Sequence, residues 1–134
     1  MSLMPKVEYD QAPAEVRAVY DDIRKNRDSD YINDVWKVLA NDPPALARCW
    51  QQVRDVMRAG ELDPVTKELI YLAVSMTNQC DYCISTHHAS ARAKGMTDGQ
   101  LRELLAIVGL ANQMNTLVAG WQIELDAKYR AAGD

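Results

Sequence analysis

Apolar residues recur at intervals of three and four along almost the whole chain. Val16, Val19, Tyr20 and Ile23 are one example, and this spacing places all four on one side of a helix. No stretch alternates apolar and polar residues as a half-buried strand would. The pattern therefore predicts an all-α fold, a compact helical bundle of six to seven helices joined by short loops.

Residues that start and stop helices divide this pattern. Asp63, which precedes a proline, is typical of a helix cap, and Asn78 is expected to cap the next helix, which ends near Gly95. Thr97–Gln100 has the spacing of a capping box and should open a further helix. Whether that helix continues through Gly109 is left open by the sequence.

The helix that follows Asp63 is apolar on most of its circumference. Leu69 and Leu72 lie on one side, whereas Ile70 and Val74 lie on others. Helices of this kind are usually buried. We therefore expect this helix to lie in the core.

Composition and charge limit the possible functions. The chain has 134 residues, which fits a single domain over 1–134, and its net charge of −4 includes no basic stripe for nucleic acid. No segment approaches the roughly 20 apolar residues that span a bilayer. The N-terminus has no pattern of an export signal. A chain with three cysteines and no such signal is expected in a reducing compartment. We therefore expect a cytoplasmic protein that binds neither nucleic acid nor membrane.

Two cysteines and a histidine share one face of a predicted helix. Cys80, Cys83 and His87 fall within about 60° of one another at about 100° per residue. Neighbours three apart lie about 5–6 Å apart at Cβ, so this pair can close a disulfide with little rearrangement. The positive end of the helix and His87 both favour thiolate formation, while the carboxylate of Asp81 opposes it.

Glu68 lies on the preceding apolar helix, between Val65 and Leu72 on the same face. Partial burial would raise the pKa of its carboxyl towards the range useful for a general base. A stripe of further polar residues continues from Glu68 along this helix, namely Tyr71, Ser75 and Gln79. If the stripe faces the cysteine helix, it would form a proton path.

Together these residues have the spacing E-x11-C-x2-C-x3-H, from Glu68 through Cys80 and Cys83 to His87. This motif, with its surroundings over 61–97, resembles the alkylhydroperoxidase D-like members of the carboxymuconolactone decarboxylase family. The resemblance implies an all-α subunit that assembles into trimers or hexamers, with the dithiol near a subunit interface. It also implies that no metal, haem or flavin cofactor is required.

The resemblance also implies roles for the four residues. Cys83 would attack the peroxide, and Cys80 would resolve the sulfenic acid to a disulfide. Glu68 and His87 would relay protons, partly through water. A partner dithiol, which is a lipoylated protein in some relatives, would then reduce the disulfide. The helix dipole instead favours Cys80 as the more acidic thiol, so the order of attack stays open.

One position departs from the family pattern. Some relatives carry a second histidine between the cysteines, where this chain has Tyr82, and a tyrosine does not do the same proton work at neutral pH. This motivates an alternative hypothesis of a thiol–disulfide exchange protein or redox sensor with little peroxidase activity. Lactone decarboxylation is disfavoured, because relatives with that activity generally lack the cysteine pair.

Simpler interpretations remain for the same residues. The cysteine pair is compatible with two buried small hydrophobes, as Cys49 is interpreted to be. It is also compatible with a zinc site completed by Glu68 or His88, and thus with a non-catalytic metal-binding or oligomeric scaffold domain.

Overall fold

A computed structural model describes residues 2–130 of the chain. Within that range it has no β-strand, and the all-α prediction is confirmed. Short 3-10 turns lie at Tyr9–Gln11 and Ala127–Tyr129. The six α-helices are α1 (Ala14–Arg27), α2 (Asp34–Leu39), α3 (Pro43–Met57), α4 (Pro64–Thr77), α5 (Asp81–Ala93) and α6 (Asp98–Gly120).

The chain divides between Arg58 and Ala59 into two compact units. In the N-terminal unit, α1, α2 and α3 enclose a core in which the rings of Trp36 and Trp50 meet edge to face, with centroids 5.5 Å apart. The Nε1–H of Trp50 donates to Asp22 at 2.6 Å, so its polar group is satisfied at the edge of that core. A single domain over 1–134 stays a prediction.

In the C-terminal unit, α4 packs against both α5 and α6 around the buried side chains of Leu72, Ala91 and Leu104. Local signals start two of these helices as predicted. Asp63 accepts the backbone N–H of Thr66 at 3.0 Å, and Thr97 forms a complete capping box with Gln100. Because no break occurs at Gly109, α6 is one continuous helix.

The predicted start of α5 is wrong. Asn78 ends α4 rather than capping α5, and Gln79 adopts a left-handed conformation with φ of 55°. The backbone N–H of Cys80 then donates to the carbonyl of Ser75 at 3.0 Å, which closes the end of α4. The chain turns at this point, and Cys80 itself becomes the N-cap of α5.

The prediction that α4 is a buried helix is wrong for part of its surface. Leu72 is fully buried, but Ile70 and Val74 are 50% and 55% exposed. The buried face of α4 meets α5 and α6 within its own unit, whereas Ile70 and Val74 lie at the surface. No helix in the described range is both long enough and apolar enough to cross a bilayer.

Candidate active site

The cysteine pair lies at the N-terminus of α5. Cys80 and Cys83 form a disulfide with their Cα atoms 5.3 Å apart, and both residues are half-buried. Sγ of Cys80 also accepts the backbone N–H of Cys83 at 3.3 Å. The N-terminal N–H groups of a helix carry partial positive charge, so this position favours sulfur in its anionic form once the disulfide is reduced.

Glu68 faces α5 and is almost completely buried, with 2% of its side chain exposed. Its Oε2 lies 2.7 Å from Nδ1 of His87, and its Oε1 accepts a hydrogen bond of 2.7 Å from the hydroxyl of Ser90. Lys94 pairs with the same Oε1. The sequence left the direction of Glu68 open, and the structure joins it to the helix that carries the cysteines.

The prediction of a raised pKa for Glu68 is wrong. Burial does raise the pKa of this carboxyl, but the hydrogen bonds from His87, Lys94 and Ser90 and the charge of Lys94 outweigh it, and the pKa falls to about 2. Hydrogen bonds and a cation favour the charged form of an acid. Glu68 is therefore ionised at neutral pH, and it is a poor acceptor for a proton released in the site.

The three residues of the polar stripe on α4 have different surroundings. Tyr71 stacks its ring on His87, with centroids 3.6 Å apart and planes 18° from parallel. Ser75 is buried and donates to the carbonyl of Tyr71 at 2.8 Å, while Gln79 lies beyond the end of the helix.

His88, Tyr82 and Cys49 are the remaining candidate residues. His88 accepts a weak hydrogen bond of 3.4 Å from Arg92, and Tyr82 is 43% exposed. Cys49 is exposed, so its interpretation as a packing residue is wrong. Over 2–130, no group of three or more His, Cys, Asp or Glu side chains is placed to hold a metal ion.

Sequence reasoning missed Ser90 and Lys94. Both follow His87 along α5, three and seven positions on, so they continue the face that carries the cysteine pair and His87. That spacing was visible in the sequence. Their role as partners of Glu68 could not be predicted, because Glu68 lies on a different helix.

Comparison with known proteins agrees with this geometry. The model of the carboxymuconolactone decarboxylase family matches residues 44–123. The crystal structure of the alkylhydroperoxidase AhpD core from Rhodospirillum rubrum superimposes with a TM-score of 0.93 at 50% sequence identity, covering 96% of this chain and 97% of that one. "Uncharacterized protein 4 in cox locus" of Paracoccus denitrificans is 42% identical over 50 residues. That match covers 37% of this chain and 45% of the Paracoccus protein, less than half of its length.

Proposed function

Because the chain belongs to the carboxymuconolactone decarboxylase family, we propose that it is an alkylhydroperoxidase-type oxidoreductase. In this proposal a thiol-dependent peroxidase reduces organic hydroperoxides or hydrogen peroxide through Cys80 and Cys83. The observation that carries it is the cysteine pair at the start of α5, followed on the same helix by a histidine that a buried carboxylate holds. The likeness to the AhpD core of Rhodospirillum rubrum supports the same class of activity.

The reaction begins with the reduced pair. The thiolate of Cys83 attacks the terminal oxygen of the hydroperoxide, the O–O bond breaks, and the leaving alkoxide takes a proton and departs as ROH. This oxidises Cys83 to a sulfenic acid. The thiolate of Cys80 then attacks that sulfur, the S–S bond forms, and hydroxide leaves with a proton as water. Two thiols and ROOH thus give the disulfide, ROH and water.

His87 transfers the protons, and Glu68 stabilises its charged form. His87 follows Cys83 by one turn of α5, so its imidazole lies on the side of the helix that carries the reacting sulfur. It takes the proton from the thiol and returns it to the leaving oxygen. The charge of Glu68, 2.7 Å from Nδ1, stabilises the imidazolium that forms in between.

The cycle closes with an external reductant. A dithiol of a partner protein, of the lipoyl or thioredoxin chemical class, exchanges with the Cys80–Cys83 disulfide and leaves both cysteines reduced. We place this cycle in the cytoplasm, where such dithiols are kept reduced. Tyr82 in place of a second histidine favours one other candidate, a thiol–disulfide exchange protein or redox sensor with the same pair.

We further propose that the subunits associate into a trimer or hexamer. A row of large apolar side chains on α6 and at its C-cap, hereafter the α6 apolar row, is exposed in the single chain. Large exposed apolar patches commonly mark contacts between proteins. A second copy of the chain is the occupant that this proposal names. The row consists of Leu110 (60% exposed), Met114 (47%), Leu117 (43%) and Trp121 (76%).

Stopped-flow titration tests the peroxidase. A Cys49→Ser background removes the exposed third thiol, so that only the pair is counted. The reduced protein is mixed with cumene hydroperoxide or hydrogen peroxide, and mass spectrometry follows the Cys80–Cys83 disulfide. Rapid loss of two thiols per chain supports the peroxidase. Slow loss, with ready disulfide formation in a glutathione buffer, would replace it with the exchange protein, and a pair inert in both would exclude both.

A further inference from the structure

The buried carboxylate of Glu68 has an unusual set of partners, all of them on or at the end of one helix. His87 contacts Oε2, while Ser90 and Lys94 both contact Oε1. Lys94 also donates to the Ser90 hydroxyl at 3.2 Å. Removing a carboxylate from water is costly unless its lone pairs are filled and its charge is balanced, and these three side chains do both.

Lys94 supplies the balancing charge without itself being buried. It is the C-cap residue of α5, and its side chain is 35% exposed, against 2% for Glu68. Its stem therefore reaches inward from the partly solvated end of α5, where the helix dipole also favours a cation. Tyr71 covers the ring of His87, so the imidazole is fixed between Glu68 and a stacked aromatic ring.

We propose that Lys94 is a positioning residue that keeps Glu68 ionised and thereby fixes His87 as the Nδ1–H tautomer, with Nε2 as the proton acceptor of the site. An ionised carboxylate only accepts hydrogen bonds, so the hydrogen between Oε2 and Nδ1 belongs to His87. In a neutral imidazole the other nitrogen is then the acceptor. Glu68 orients the base and does not carry the proton.

The inference rests on the proposed peroxidase for its kinetic consequences only. The lowered pKa of Glu68 agrees with it. If Lys94 is replaced by a neutral residue, the carboxylate loses its permanent cation, and the pKa of Glu68 rises. Peroxide reduction then slows on the order of tenfold or more, since a misplaced base loses rate steeply.

The first test uses the unaltered protein. Imidazole ¹⁵N shifts report the tautomer of His87 in the reduced protein at pH 7 to 8, and ¹³C shifts report the ionisation of Glu68. We expect hydrogen on Nδ1 and an ionised carboxylate. Hydrogen on Nε2, or a protonated Glu68, would overturn the inference whether or not the protein reduces peroxides.

The second test compares Lys94→Met, Lys94→Gln and Lys94→Arg, with Lys25→Met as the control. Lys25 lies in the last turn of α1 and is exposed, so its loss removes the same charge from another helix end. The two neutral variants should raise the Glu68 titration midpoint, mix the His87 tautomers, lower kcat/KM and move the acid limb of the pH profile upward. Lys94→Arg should restore all four quantities, and Lys25→Met should change none.

These readouts separate the two proposals. A Lys94→Gln protein with the parent tautomer and the parent pH profile would overturn the role of Lys94 even if the protein is an active peroxidase. Absent peroxidase activity in the parent protein would overturn the proposed function, while the ¹⁵N and ¹³C shifts still decide what Lys94 does. If Lys94→Met does not fold, Lys94→Gln and the spectra of the parent protein carry the test.

Discussion

Glu68 and His87 are 19 residues apart in the chain, yet Oε2 and Nδ1 lie 2.7 Å apart. The two side chains belong to α4 and α5, whose packing brings a buried acid against the helix of the cysteine pair. Since Cys80 is the N-cap of α5, the geometry of one helix relates the sulfur atoms to His87 and its partner Glu68.

Glu68→Gln should slow peroxide-driven disulfide formation by about 100-fold, the lower end of what acid–base catalysis contributes. The amide keeps the size of the side chain but removes the charge that stabilises the imidazolium of His87. Stopped-flow thiol loss at neutral pH measures the effect. Glu61→Gln is the matched control, because Glu61 is an exposed carboxylate in the loop before α4; equal rates in both variants would contradict a role for Glu68.

The same carboxyl should contribute to stability in a defined pH window. Its pKa in the folded state, about 2, lies below the ordinary value of 4.5. The contribution is therefore present above pH 4.5 and is lost as the pH falls from 4.5 through 2. A shift of this size corresponds to roughly 3 kcal/mol at most.

Urea unfolding at pH 6 and pH 2.5 measures this contribution. The free energy of unfolding should fall more between these two pH values in the parent protein than in Glu68→Gln, which has no such group to titrate. Other carboxyls contribute equally to both proteins, so the difference isolates Glu68. An identical fall in the two proteins would show that Glu68 is not held ionised.

The two cysteine-to-serine variants should accumulate different oxidation products. Both Cys80→Ser and Cys83→Ser should lose multiple turnover, because neither can form the intramolecular disulfide. Cys80→Ser should still react once and accumulate a sulfenic acid on Cys83, which dimedone labelling and mass spectrometry detect. A sulfenic acid on Cys80 in Cys83→Ser, with none in Cys80→Ser, would reverse the order of attack. Full turnover in either variant would rule out the dithiol cycle.

Several features of the fold and site were predictable because they depend on neighbours in the sequence. The caps at Asp63 and Thr97 are local hydrogen bonds, and both were predicted. Asn78 is also a residue type that caps helices. However, Gln79 after it adopts a left-handed conformation, and Cys80 is the N-cap of α5. Whether Asn78 or Cys80 caps the helix depends on how the preceding helix ends, and local patterns do not decide that.

The state of Glu68 was beyond sequence reasoning for a different reason. Its burial was predictable from its apolar neighbours on α4, and burial alone raises a carboxyl pKa. The opposing effect comes from His87, Lys94 and Ser90. Of these, Ser90 and Lys94 lie 22 and 26 residues further along the chain than Glu68. Whether such residues meet a buried acid depends on the packing angle and register of two helices, which no single-sequence pattern specifies.

Charged substitutions in the α6 apolar row should weaken the proposed association of subunits. Leu110 and Leu117 are 60% and 43% exposed and lie on the same side of α6. An aspartate at each position would place unpaired carboxylates in the proposed contact between subunits, where burying them is costly. The Leu110→Asp/Leu117→Asp variant should therefore sediment as a smaller species than the parent protein, while its circular dichroism remains helical.

Asn115→Asp is the control for that variant, because it adds a charge to the same helix outside the row and its site is exposed. It should keep the parent sedimentation coefficient. If the double aspartate variant sediments like the parent protein, the row does not hold the subunits together. A parent protein that is monomeric at micromolar concentration would exclude the assembly itself, and would leave the relation of Glu68 to His87 intact, because both belong to one chain.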